Sequence, residues 1–314
     1  MQTLHVIFGT GPLGRSVMNA LSQKEVQIRI VNRTGQLDIP RPVEIMKANI
    51  LTGEGLHEAV NGAAVVYQCA NPPYNLWPEQ FPLLQSNILK AAASAGAKIV
   101  IGENVYMYGD TNGAVMTEDS PNAATTKKGK VRAQMATDAI DEHRKGAVRV
   151  TICRGSDFFG PHVTNSMMGE RQIGRAVSGS KASLVGTMDV PHSFTYINDF
   201  GRALATLGCS SSADGEIWHA PTAPPLTQRE FMKLVFTEAG HEPAMSSMGR
   251  MMMRIGGLFI PEAKESVEMM YQFEKAFIVD SSKFEKCFGW QATGTADAVR
   301  ETVRWYRSRA AIGR

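Results

Sequence analysis

Residues 4–14 constrain this chain more than any other stretch. An apolar run from Leu4 to Phe8 meets glycines at positions 9, 11 and 14, and a segment bearing alanine and leucine follows to Leu21. The pattern is a strand, a tight turn and a helix. Gly9 lets the chain turn sharply, Gly11 removes a side chain where a phosphate must approach, and Gly14 lets helix and strand pack closely. The helix N-terminus then offers free N–H groups and a positive dipole end to an anion. Glycine turns join strands to helices in many folds. Here both flanks are right, and a second strand, Val26–Val31, follows where a βαβ unit requires it. The stretch therefore points to a dinucleotide seat built from Gly9, Thr10, Gly11, Pro12, Leu13, Gly14 and Arg15.

Strand-like and helix-like runs alternate through the first half, as parallel βαβ units demand. Expected strands are Leu4–Phe8, Val26–Val31, Val43–Lys47, Ala64–Cys69, Lys98–Ile101 and Val148–Cys153. Helical patterns lie at Gly11–Gln23, Gly53–Val60, Glu79–Ala95 and Lys128–Lys145. Right-handed crossovers make this an α/β fold, a doubly wound parallel sheet (Rossmann) with its ligand over the carboxyl ends of the strands. After Arg154 the segments shorten and proline and glycine recur. The expectation is a dinucleotide-binding domain over 1–154 and a smaller C-terminal, mainly substrate-binding portion over 155–314, partly interleaved with the first. Strands are expected there at Ser183–Val185, His192–Ile197 and Glu216–His219, and helices near Asp199–Leu207, Thr227–Ala239 and Thr295–Ser308. Met245–Met253 reads as adaptable apolar filler in a helical region, or as a soft lid or dimer-facing surface.

Several classes are excluded by composition. A net charge of +3 over 314 residues, with no basic run interleaved with aromatics, argues against a nucleic-acid partner. The four cysteines, Cys69, Cys153, Cys209 and Cys287, have no CxxC spacing and read as reduced thiols, with no metal site expected. No apolar stretch is long enough for a bilayer span, and the first strand begins too early to leave room for a signal peptide. The expectation is a cytoplasmic protein that binds a small molecule, with no membrane or nucleic-acid partner.

The end of the second strand bears on which dinucleotide is bound. An NAD site usually places Asp or Glu there for the ribose 2′-hydroxyl. This chain has Asn32 and Arg33, and a guanidinium there suits a 2′-phosphate, with Arg15 as a second cation. NADP is the expected cofactor, with NAD as the alternative. Both arginines are also what a solvent-facing strand end and helix start would carry.

Ordered motifs then accumulate. Tyr108-Gly109-Asp110 precedes Thr117-Glu118-Asp119-Ser120-Pro121. Arg154 precedes Phe159-Gly160-Pro161, and Tyr196-Ile197-Asn198-Asp199 and Phe288-Gly289-Trp290 follow. With the glycine turn, these resemble the extended short-chain dehydrogenase/reductase superfamily, of the NAD(P)-dependent epimerase/dehydratase type, over essentially the whole chain. The resemblance implies that Asn49 and Ile50 lie beside adenine, that Ala70 at the end of the fourth strand lies along the cofactor, and that copies pair as a homodimer through the helices after the fourth and fifth strands.

The resemblance also implies a Ser or Thr four residues before the Tyr of Tyr-Gly, and a Tyr-x-x-x-Lys pair on the following helix. Asn104 stands at the first position, and Lys128 and Arg132 fall at the pair. No tyrosine lies between Tyr108 and Tyr196. Asn104 can orient a substrate oxygen or cap a loop. Tyr106 can supply a proton. Lys128 is either an acid/base, a role that burial and neighbouring positive charge confer on lysines, or a phosphate-pairing residue in a basic helix start. Glu103 can pair with one of these cations. Tyr74 and Trp77, in a proline-stiffened loop, suit a substrate wall or a rigid connector, and His192 is a further substrate-side candidate. Two functions stay open: an atypical NAD(P)-dependent oxidoreductase or epimerase/dehydratase-like enzyme acting on a small carbonyl or hydroxyl substrate, sugar-like or otherwise, or a non-catalytic NADP-binding sensor.

Overall fold

In a computed structural model the chain is described over residues 2–39, 43–256 and 267–312. It divides into two compact units: residues 1–107, 127–154 and 200–220 form one, and residues 108–126, 155–199 and 221–314 the other.

The first unit holds a seven-stranded parallel sheet. Strands β1 (Leu4–Phe8), β2 (Gln27–Asn32), β3 (Glu44–Lys47), β4 (Ala63–Gln68), β5 (Lys98–Glu103) and β6 (Arg149–Arg154) are joined by Ile217–His219 at the far edge, in the order β3-β2-β1-β4-β5-β6-(217–219). The expected doubly wound sheet is therefore present. The order reverses between β1 and β4, which opens a crevice over their carboxyl ends. Helices α1 (Pro12–Leu21), α2 (Leu56–Val60), α3 (Trp77–Ser94) and α4 (Lys127–Arg144) supply the crossovers. The faces of β5 and β6 bearing Ile99, Ile101, Val150 and Ile152 pack with Phe81, Leu84 and Ile88 of α3 and Met135 and Ala139 of α4 in one apolar core. α3 starts at Trp77, two residues before the pattern suggests, because Pro78 fits a first helical turn where its missing N–H costs nothing.

A buried pair braces the sheet. His5 is 3% exposed, and its Nδ1 lies 2.9 Å from the Tyr67 hydroxyl of the neighbouring strand. Burial, helped by Lys24, pushes His5 down from 6.5 to about 4. The folded chain thus holds His5 neutral while the unfolded chain protonates it. Stability is fully present above pH 6.5 and falls as pH drops toward 4, by ~3 kcal/mol for this group alone. Urea unfolding at pH 7 and pH 4.5 should show this loss reduced in His5→Gln. An equal loss in the variant would assign it to other groups.

In the second unit, Phe159, Leu184, Phe194, Phe231, Val235 and Val303 form a separate core. The run His192–Ile197 does not form one strand. Pro191–His192 pairs with Leu226–Thr227, whereas Phe194–Tyr196 pairs with Asp157–Phe159. Ser193 falls between them, donating its N–H to Phe277 and accepting from Val279 N through Oγ. The methionine-rich stretch also departs from the helical reading. Met245–Met248 is a strand parallel to Ala182–Val185, and helix 250–256 follows. No helix among the described residues is long and apolar enough to cross a membrane.

Candidate active site

The glycine turn sits at the sheet's switch point. Gly9 has φ +110°, which L side chains rarely adopt, and a Cβ there would lie 2.8 Å from Ala70 N. Gly14 lies against the turn, where a Cβ would fall 2.0 Å from the Gly9 carbonyl oxygen. A Cβ on Gly11 would meet nothing within 4 Å, so the space over this exposed position is open. Gly11 is the N-cap of α1 and Pro12 occupies its first turn. Arg15 Nε donates to the Thr10 carbonyl at 3.2 Å, tying the turn to the helix. Leu13 follows Pro12 in that same first turn.

At the end of β2, Asn32 Oδ1 accepts from Thr34 N (3.0 Å) and Gly35 N (2.7 Å), while its Nδ2 donates to the Gln36 carbonyl (2.8 Å). Its amide is thereby spent on shaping the loop that presents Arg33, which is exposed and makes no ion pair with any described residue. Asn49 Oδ1 accepts from Leu51 N, and Asn87 of α3 donates to the Ile50 and Leu51 carbonyls, pinning that turn beside the strand ends.

A second constellation forms at the carboxyl ends of β4–β6, under the first turns of α3 and α4. Lys128 and Arg132 occur four residues apart on α4, hence on one face, and are 1% and 2% exposed. Lys128 Nζ lies 4.4 Å from the Tyr74 ring centroid. Arg132 Cζ lies 4.6 Å from the Trp77 ring and 4.0 Å from the Phe81 ring. Tyr74 and Trp77 meet edge to face at 5.1 Å, and Tyr106 lies 6.0 Å from Trp77. The Trp77 indole donates to the Pro72 carbonyl at 3.2 Å, so the proline-stiffened loop and the helix start hold each other. Asn71 Oδ1 is 3.5 Å from Arg132 Nη2.

Behind these cations, Glu103 and Arg154 end their strands in register, both about 1% exposed, with Arg154 Nε donating to Glu103 Oε2 at 3.3 Å. His219, also buried, is in register with Arg154 on the next strand. Burial lowers the Arg132 guanidinium to about 10, against the opposing pull of Glu103. Asn104 is buried and accepts from Tyr106 N through Oδ1 at 3.2 Å; its Nδ2 takes no part in that turn.

Of the residues singled out in the sequence, Tyr74, Trp77, Asn104, Tyr106, Lys128 and Arg132 thus occur together in the first unit. His192 belongs to the second unit, where Nε2 lies 2.6 Å from Asp157 Oδ2, Nδ1 lies 3.1 Å from the Gln272 carbonyl, and the ring stacks on Phe273 and Phe277. Arg154 and His219 were not singled out for the site. Only strand register places Arg154 beside Glu103 and His219 beside Arg154, and register is not written in local pattern.

Solved structures share this architecture. A dTDP-glucose 4,6-dehydratase from Streptomyces venezuelae, DesIV, solved with NAD and TYD, superposes with a TM-score of 0.79 at 18% identity, covering 99% of this chain and 98% of that one. A dTDP-glucose 4,6-dehydratase from Bacillus anthracis, in complex with NAD, gives 0.79 at 15% identity, with 98% of each chain covered. The UDP-N-acetylglucosamine 4-epimerase from Bacillus cereus gives 0.77 at 16% identity, over 98% of this chain and 97% of that one. At such identities the likeness is one of fold. No curated protein matches the chain in sequence. The sequence model of the NAD dependent epimerase/dehydratase family matches residues 6–218, more than half of the chain, and with the glycine turn at a switch point of a parallel sheet this establishes that the chain belongs to that family.

Proposed function

We propose that this chain binds NADP, with NAD as the weaker alternative, and is an atypical oxidoreductase or epimerase-like enzyme acting on a small carbonyl or hydroxyl substrate. The cofactor fits the turn: Gly11 offers open space at a helix N-terminus, and Gly9 and Gly14 are packed too closely to carry side chains. Residues 9–15 would hold the pyrophosphate, Arg33 the 2′-phosphate, Asn49 and Ile50 the adenine side, and Ala70 the inner face. That structures of the same fold were solved with NAD supports a nicotinamide dinucleotide.

The observation that carries the enzymatic reading is the buried Lys128–Arg132 pair, caged by Tyr74, Trp77 and Phe81 at the carboxyl edge of the sheet. Lys128 and Arg132 take the places that the resemblance gives to tyrosine and lysine. When bound, the cofactor supplies or takes a hydride; the chain's part is to hold the substrate oxygen and exchange its proton. Lys128 Nζ is the group we assign to that proton, with the Asn104 amide orienting the oxygen and Tyr106 as the competing donor. Tyr74 and Trp77 form the substrate wall.

Incubation of the purified protein with NADPH and a panel of carbonyl compounds tests this, with Lys128→Ala and Tyr106→Phe alongside. Tight NADPH binding with no turnover on any compound would replace the enzyme with a cofactor sensor. The cofactor preference has its own test. Arg33→Ala should weaken NADP binding ~10–100-fold, the worth of a charge-assisted pair, and change NAD binding less than about threefold. Equal affinities of the unaltered protein for the two cofactors would remove the NADP assignment.

A further inference from the structure

Arg132 is a buried cation that its surroundings leave unfinished. Trp77 and Phe81, whose ring centroids lie 5.1 Å from each other, pack on it at 4.6 and 4.0 Å from Cζ. Nη2 reaches Asn71 Oδ1 at 3.5 Å, the outer limit of a hydrogen bond. Nε and Nη1 are buried and meet no acceptor among the described residues. The nearby carboxylate, Glu103, accepts from Arg154 Nε through Oε2, while its Oε1 has no hydrogen-bond partner among the described residues. Lys128, four residues away on the same helix, and Arg154 are buried cations of the same unit. Ring faces attract a guanidinium without accepting its N–H bonds, and a buried charge lacking both partner and hydrogen bonds is unfavourable. The missing element is an anion with acceptor oxygens.

We infer that Arg132, assisted by Lys128, is the anchor for a carboxylate on the substrate, so that the compound acted on is a small oxo or hydroxy acid. The inference rests on the reading of this cage as the substrate site. The edge bearing Nε and Nη1 is the part of the guanidinium left without acceptors, and a planar carboxylate meets such an edge in plane. Glu103 in the same cluster works against a doubly charged tetrahedral phosphate. Tyr74 and Trp77 flank the carbon skeleton, and the proline-stiffened Asn71–Tyr74 loop carries the exposed Asn71 toward the guanidinium from the solvent side.

Saturation-transfer NMR and calorimetry on the full chain, with and without NADP, would compare 2-oxobutanoate, 2-butanone, acetamide, acetate and inorganic phosphate. The oxo acid should bind at least about tenfold more tightly than butanone, and acetate more tightly than acetamide or phosphate. Arg132→Gln should reduce the oxo acid to the level of butanone, and Arg132→Lys should restore part of the difference. Glu103→Gln should tighten oxo-acid binding severalfold, because a competing negative charge is gone; a residue that only supports the fold would not improve a ligand. Unchanged NADP affinity in each variant reports that the fold is intact. Equal binding of oxo acid and ketone, tighter binding of phosphate, or indifference to Arg132→Gln would overturn the inference. Oxo-acid binding through Arg132 without NADPH oxidation would uphold this subsite and sink the enzymatic reading. Oxidation of NADPH by neutral carbonyls alone would do the reverse.

Discussion

Replacement of Lys128 by methionine is expected to lower NADPH-dependent turnover by about 10²–10⁴-fold, the usual contribution of a positioned acid or base. The choice of methionine matters. Lys128 is 1% exposed with Nζ over the Tyr74 ring, so a shortened side chain would leave a cavity, whereas methionine fills an apolar space of similar length. NADPH affinity should change less than about threefold, since the glycine turn is untouched. Tyr106→Phe is the informative partner, because it removes one hydroxyl from a residue that also packs near Trp77. If Tyr106 loses the larger factor, the proton belongs to the phenol and Lys128 positions the substrate. Steady-state rates with the best compound of the carbonyl panel, measured across pH, decide between them.

The second large effect concerns the turn, where two glycines should fail for opposite reasons. Gly14→Ala places a methyl 2.0 Å from the Gly9 carbonyl oxygen, so helix α1 must move away from the end of β1. That change is expected to cost ~3 kcal/mol or more of stability, as overpacking of a tight contact does, and to weaken NADPH at least tenfold. Gly11→Ala adds the same methyl into open space at φ −71°, which alanine adopts freely. Its stability should fall by no more than about 1 kcal/mol, the cost of alanine at an N-cap, while NADPH binding drops at least tenfold because the methyl occupies the phosphate approach. Thermal unfolding and cofactor titration on the two variants separate these effects. Strong NADPH binding by Gly11→Ala would argue that no phosphate lies over that position.

Much of this architecture was legible because parallel strands buried on both faces read as short apolar runs. Leu4–Phe8, Lys98–Glu103 and Arg149–Arg154 therefore emerge from local pattern within a residue or two. The second unit was harder to read. Asp157–Phe159 is a three-residue strand close to Gly155 and Gly160, too short for any periodicity, and its pairing with Phe194–Tyr196 splits what looks like one strand. Met245–Met248 pairs with residues some sixty positions earlier, a long-range contact that overrides any helical preference of methionine. In the site, the i, i+4 spacing of Lys128 and Arg132 and the aromatic loop at Tyr74–Trp77 were visible as residue types. The cage they form was not, because it depends on how α3 and α4 lie over the same strand ends. Glu103 and Arg154 lie 51 residues apart, and only the register of β5 with β6 makes them an ion pair.

Joint action of the glycine turn and the Lys128–Arg132 cage on a bound substrate is the core of the proposed function. Its most direct test is transfer of label from NADPH carrying deuterium at nicotinamide C4 to a panel of neutral carbonyls and oxo acids, read by mass spectrometry of the products. One deuterium is expected in the alcohol formed from at least one compound, retained in Tyr74→Phe and lost in Lys128→Met. Tight NADPH binding with no deuterium in any product would contradict it.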